Sequence, residues 1–532
     1  MPRFRFVLCM TLSAALGLAQ HQATGTEKPV ALLAGLGNWH HPIATNNSQA
    51  QKFFDQGLVL MYSFNKHEAL RSFRRASELD PHSGMGYWGI AMSLGPYINM
   101  DGDPDVQMKP SCEAVQAGLK AAAAGSVDRA WLEAAGTRCP DYADPSKYIR
   151  AMRDIAAHSP DDPDAQTLYA EALMIPVRWK WYGPDGKPAP GVLEAERILE
   201  SVIRRYPQHP GANHLYIHAV ESSPTPERAV PSAQRLMGIV PAAGHMVHMP
   251  GHIWLALGDF NNAIAVNERA VEVDRKYIAQ EGVMGGYGMY VLHNMQFLVY
   301  GHAMQGHAAE ARKAAQEMSA AIKAHSSEMG EMAEVMSTWL TLNELRANLW
   351  DDILQSAQPK APPSLALWRF SRGMALALKG RAGDARKEQA EFERLRKTLD
   401  RNMQWDTNKM GDVLDLASVV LDARLESPAA RAVPKWRRAA AMQDALVYDE
   451  PPGWYYPVRE SLGAALLSSG DAGGAEAVFR DGLRRSPNNG RMLFGLLESL
   501  KAQKKTDAAQ WVQREFEAAW RDADVVLRVN EL

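Results

Sequence analysis

Apolar and small residues recur along this chain at helical intervals, and the same set of offsets appears near both ends. Gly57, Ala69, Phe73, Ala76 and Pro81 stand at offsets that return as Gly463, Ala475, Phe479 and Pro487, with Leu466 and Gly470 between them. Such spacing predicts pairs of short amphipathic helices joined by tight turns and closed by proline. Degenerate copies fill the middle. Pro207 closes one unit, Ala229 and Pro241 mark the next, Gly251, Gly258, Ala263 and Ala270 another, and Gly306 and Ala311 a further one. Strand-like alternation of useful length is absent, which makes α/β enzyme classes poor candidates.

These offsets are those of positions 8, 20, 24, 27 and 32 in a 34-residue helix–turn–helix unit, and the chain resembles the tetratricopeptide repeat superfamily. Three stretches, FFDQGLVLMYSFNKHEALRSFRRASELDP with YWGIAMSLGP, NHLYIHAVE with GHMVHMPGHIW, and YDEPPGWYYPVRESLGAALL, look like one group of exported bacterial proteins of this type. One departure is that the resembled pattern has histidine directly after Phe64-Asn65, where this chain has Lys66 and then His67. The resemblance implies an all-α, right-handed superhelical solenoid of tetratricopeptide-type repeats and lends no reaction. The expected division is a leader at 1–19, an extension at 20–48, repeats at 49–160, a histidine-rich centre with insertions at 161–325, and further repeats at 326–532.

Within that frame six histidines stand out. His214 and His218 take positions 5 and 9 of one first helix, His245, His248 and His252 take 2, 5 and 9 of the next, and His293 takes 2 of a third. In this superfamily those positions line the concave face, so three neighbouring helices would tile one wall with imidazole, the commonest protein ligand for transition metals. Crowded imidazoles repel when protonated, which makes clustering costly unless something ligates them. The competing readings are a polar groove for a peptide or small molecule, and coincidence. Glu221 and Glu171 (position 9 of the preceding repeat) are candidate ligands, general bases or outer partners, with a solvated helix end as the alternative for Glu221. Gln296 and Tyr300 are candidate outer partners. His209, His302 and His307 lie nearer the repeat turns and are weaker candidates, and His67, His82, His158 and His325 are ordinary surface or core residues. An imidazole set without cysteine favours copper, zinc or iron over magnesium or calcium. The number of histidines exceeds one tetrahedral site.

Three segments are candidate covers for the site: GVMGGYGMY with Gly282, Gly285, Gly286 and Gly288, an insertion bearing Trp179, Trp181 and Tyr182, and the run from Tyr448 to Glu460 with Trp454, Tyr455 and Arg459. Simple connectors and packing between repeats are the alternatives.

Composition narrows the picture further. At 532 residues the chain exceeds one compact core, and a net charge of -3 argues against nucleic acid as a partner. Arg3 and Arg5, the apolar stretch Phe6–Ala19, and Gly17 and Ala19 before Gln20 read as a secretory leader, too short for the ~20 residues that span a bilayer. Export to the periplasm or the extracellular space is therefore expected, with no stable membrane insertion after cleavage. Cys112 and Cys139 would remain, either bridged or as two inert thiols. The GxSxG, HExxH, Walker, dinucleotide-binding and haem-attachment motifs are missing. The reading reached is an exported solenoid with a histidine-rich metal site, a metalloenzyme of unknown reaction, or else a periplasmic scaffold that binds a peptide or partner protein in its groove.

Overall fold

A computed structural model describes residues 28–99, 106–282, 286–326, 331–405 and 407–532. The leader therefore lies outside the described residues, as does Gly285. Helices dominate, with one two-stranded ribbon at Gln404–Trp405 and Asn408–Lys409. From Ser48–Tyr62 to Thr506–Ala519 each helix packs against its neighbour in sequence, the arrangement of a solenoid.

The repeat offsets have a packing cause. Phe73 on the second helix of the first unit lies against Gly57 of its own first helix and Gly89 of the next unit. A Cβ at either glycine would fall 2.8 or 2.2 Å from the Phe73 ring. Phe479 repeats the arrangement between Gly463 and Gly495, at 2.5 and 2.1 Å. Both rings are fully buried, so small residues on the first helices admit the aromatic that joins each unit to the next. Caps set the helix starts: Asn47, Asn65, Asp162 and Asn489 accept hydrogen bonds from the first turns of their helices.

Two long-range closures shape the interior. The C-terminal repeats return against the central ones: Asp524 accepts from the backbone of Ala308 (2.6 Å) and Ala309 (3.0 Å), the Trp520 ring lies on Gly306, and Pro487 meets Gly258. At the other end, residues 28–47 form an extended strap. Lys28 Nζ donates to the Gln280 carbonyl (2.7 Å), Ala242 N to the Gly35 carbonyl (3.0 Å), and Leu33 N to Gln56 Oε1 (2.7 Å). Cys112 and Cys139 are joined by a disulfide that ties Met108–Ala121 to the segment after Val127–Gly136. Among the described residues no helix is long and apolar enough to cross a membrane.

Candidate metal centre

Four helices carry the six histidines. Pro210–Glu221 starts at Pro210 with His209 as its cap; Gly244–His248 and Pro250–Ala256 are parted at Met249 because Pro250 has no N–H to continue the ladder; and Tyr287–Gln305 carries His293. Spacings of three and four turn each helix's histidines to one side. The first five are 0–3% exposed and His293 is partly buried, so the wall is closed rather than an open concave face. Phe64, Phe297, the Trp179–Tyr182 insertion and Glu450 from the C-terminal repeats lie against the rings.

The imidazoles gather as two triads. His214, His218 and His245 form the first, and His248, His252 and His293 the second. In the first, His214 Nε2 lies 3.1 Å from both His218 Nε2 and His245 Nε2; in the second, His248 Nε2 and His252 Nε2 are 2.7 Å apart. Two nitrogens bound to one ion at about 2.0–2.1 Å would lie roughly 3.3–3.5 Å apart, so each set needs to open only by tenths of an ångström.

The partners on the far side of the rings assign the tautomers. His214 Nδ1 donates to the Tyr62 carbonyl (2.6 Å), and His248 Nδ1 donates to Asn267 Oδ1 (2.7 Å), whose amide is oriented by its own donation to the Ala263 carbonyl. Glu221 accepts from His218 Nδ1 (3.1 Å) and His252 Nδ1 (2.7 Å), linking the triads. These hydrogen bonds place a proton on Nδ1 of each of these rings and turn the Nε2 atoms inward. Burial, and then the neighbouring imidazoles, hold His214, His245 and His248 well below the ordinary histidine value, and burial with His252 takes His293 down to about 3.

His252 differs from its neighbours. Burial works against its charge, but Glu450 and Glu221 at its Nδ1 raise it above the ordinary value. With Nδ1 against the two carboxylates, the Nε2–H of a protonated His252 points at His248 Nε2, 2.7 Å away. Glu221 is held low because His218 and His252 outweigh the cost of burying it, whereas burial and the Glu221 charge raise Glu450.

Phenylalanines roof both triads. The Phe64 ring lies 4.5, 5.9 and 5.1 Å from His214, His218 and His245, and Phe297 lies 4.7, 5.2 and 5.1 Å from His248, His252 and His293. Phe64 occupies a left-handed turn position (φ 56°) that Gly258, Gly306, Gly380 and Gly470 fill between the helices of other units. An aromatic residue there costs about 1–2 kcal/mol of backbone strain, offset by its seat on the imidazoles. Trp179 and Trp181 approach His218, at 6.5 and 5.8 Å, and Tyr290 approaches His245 at 4.7 Å.

Several expected neighbours lie elsewhere. Glu171 joins neither triad: it is buried on the far side of Phe64, beside Lys66 and Arg138, because its position on an earlier unit points it across the interior. Gln296 does hydrogen-bond to His293, while the Tyr300 hydroxyl faces Arg346 and Glu460. His302 and His307 pair with each other away from the site. His209 is buried and donates from Nε2 to Asp164 (3.2 Å). Trp454 and Tyr455 pack on Phe370 in the C-terminal core, and Arg459 pairs with Asp444 and Asp481. It is Glu450 of that same run that enters the site, against His252 Nδ1. Gly288 lies inside a helix, so the glycine-rich segment between helices ends at Gly286.

The start of the His245 helix depends on Gly244. A Cβ there would fall 1.7 Å from Asp274 Oδ1, and Asp274 is itself held by Tyr287 (2.5 Å) and Asn294 (2.6 Å). Gly244→Ala is expected to cost about 1–3 kcal/mol through overpacking and to weaken metal binding at the first triad. Calorimetric titration of the variant checks this, and an unchanged affinity would count against the assignment of His245.

No protein-family model matches the chain, and none of the curated proteins matches it either. Solved structures with a similar course include yeast Tom70, at 13% identity and TM-score 0.33 over 88% of this chain and 97% of that one. The human IFIT1 dimer with m7Gppp-AAAA is 12% identical, TM-score 0.32, over 90% and 91%. The APC/C hetero-tetramer Cut9-Hcn1 is 13% identical, TM-score 0.30, over 91% and 76%. Likeness at that level carries no argument about function. The glycine–phenylalanine joints and the sequential helix pairs do bear on the fold: the chain is an all-α solenoid of tetratricopeptide-type repeats.

Proposed function

We propose that the two histidine triads bind transition-metal ions side by side, and that the protein is an exported metalloprotein, with a metalloenzyme as the favoured form. The observation that carries this reading is the convergence of His214, His218 and His245, whose buried Nε2 atoms face one another while Nδ1 of His214 and of His218 is engaged by the Tyr62 carbonyl and by Glu221. A cation bound there would be coordinated by rings already oriented from behind. Copper, zinc and iron all suit imidazole ligands. Glu221 is the one carboxylate that touches both triads through their outer nitrogens. It orients His218 and His252, as carboxylates behind metal-bound histidines do. The Cys112–Cys139 disulfide agrees with an oxidising compartment outside the cytoplasm.

A helical-repeat solenoid is also a scaffold of the kind that binds partner proteins. A peptide ligating these histidines, however, would have to displace Phe64 and Phe297, so the scaffold reading fits other faces of the solenoid better than this wall. Metal analysis of protein purified without an affinity tag tests the proposal. Near-stoichiometric copper, zinc or iron is expected, together with a rise in melting temperature when metal is restored to stripped protein. Empty protein whose melting is indifferent to all three metals would rule it out.

A further inference from the structure

Building on that reading, we propose that each triad is a three-coordinate site for monovalent copper, with Phe64 and Phe297 excluding a fourth ligand. The argument starts from coordination number. Among the described residues, each triad offers three imidazole nitrogens and no additional histidine, cysteine or carboxylate atom within reach of all three. The polar groups nearby are turned away. Tyr290 Oη pairs with Tyr97 Oη (3.1 Å), Trp181 Nε1 donates to the Met174 carbonyl (3.2 Å), and Glu221 and Glu450 sit at the outer nitrogens of the rings.

What closes each triad is a phenylalanine within about 6 Å of all three rings, one for each set. The two residues reach this role by unrelated routes. Phe297 is a helical residue one turn beyond His293. Phe64 comes from a turn more than 140 residues earlier in the chain and accepts a left-handed backbone to do so. The same turn position is glycine in four other units and Asn348 or Lys504 in two more, so it accepts a side chain, and at Phe64 that side chain is the one set against imidazoles.

Divalent zinc is almost always four-coordinate in proteins and fills an open position with water, which an apolar roof disfavours. Cupric ions likewise take tetragonal sets of four or more ligands. Closed-shell cuprous copper is stable with three nitrogens and needs no water.

The test uses the whole chain, stripped of metal and loaded without oxygen with cuprous ion or zinc ion. The expected result is two cuprous ions per chain, held against zinc in excess, with X-ray absorption showing three nitrogen neighbours and no fourth ligand. Phe64→Leu and Phe297→Leu keep an apolar side chain but shrink the roof. Each is expected to admit water and to raise zinc affinity by about tenfold or more at its own triad. Zinc displacing cuprous ion at equal concentration, or a fourth light ligand in the wild-type spectrum, would overturn the inference while leaving a metal site in place. Failure to bind either ion would overturn the inference, and failure to bind iron as well would overturn the metal site.

Discussion

Replacing His214 and His248 by alanine together is expected to reduce bound metal from two ions per chain to almost none. The pair takes one ligand from each triad, and the choice matters. The outer nitrogens of these two rings face neutral partners, the Tyr62 carbonyl and the Asn267 amide, so their removal strands no buried carboxylate. His252→Ala, by contrast, would leave Glu221 and Glu450 short of a partner and confound metal loss with unfolding. Losing one of three ligands should weaken each site by more than the roughly 10–100-fold seen for outer-partner changes. Glu221→Gln keeps every ligand and should fall within that range, at both triads together. Elemental analysis and calorimetric titration measure these effects. Metal at 1,000 times its Kd should stabilise the wild type by about 4 kcal/mol for each ion bound and leave the double variant unmoved. A double variant that still holds two ions would show that the triads are not the site.

The second large effect is expected at Asp164, which fastens the strap to the repeats. Its Oδ1 accepts from the Tyr62 hydroxyl (2.7 Å) and His209 Nε2 (3.2 Å), and its Oδ2 from His41 Nδ1 (3.0 Å), with Trp39 Nε1 3.2 Å from Oδ1. Asp164→Asn replaces one acceptor oxygen by an NH2 group facing donors. The His41 imidazole loses its counter-charge and the buried donors lose an acceptor, at an expected cost of about 3–5 kcal/mol. Denaturant unfolding and hydrogen exchange measure this, and unchanged protection over 28–47 would refute the role. Because Tyr62 also supplies the carbonyl for His214, the first triad should lose affinity while the second keeps its own.

The strap is also expected to depend on pH in two directions. Burial opposes the Asp164 charge, but His209 and His41 outweigh it and hold the carboxyl well below its usual range. Its contribution is therefore present above about pH 4 and is lost as pH falls further. Burial opposes the His41 charge too, yet Asp164, Asp162 and Asp55 raise it above the ordinary value. That contribution is complete below about pH 6.5 and is lost as pH rises through the raised value. Protection of residues 28–47 should therefore peak between these limits.

The chain's local pattern determined the solenoid and the six histidines. Helix faces are set by spacings of three and four, and the same spacings place imidazoles at equivalent points of successive units. Glu221 was legible for the same reason, one turn after His218. Glu171 obeyed the same rule but reached a different place, because position within a unit says nothing about which residues stand opposite it. Glu450 carried no periodic signal; it sits in an aromatic-rich run whose Trp454 and Tyr455 drew attention to the wrong side chains. Phe64 did leave a trace, since a phenylalanine occupies the turn offset that is glycine at 258, 306 and 470. Asn267 and Phe297 left none. Whether the imidazole wall was open or closed lay beyond the local pattern. Closure brings Phe64 and Glu450 onto the imidazoles from segments more than a hundred residues away along the chain. Periodicity tells a helix which face to bury, but only the folded superhelix decides what covers that face and which charges it shuts in with the histidines.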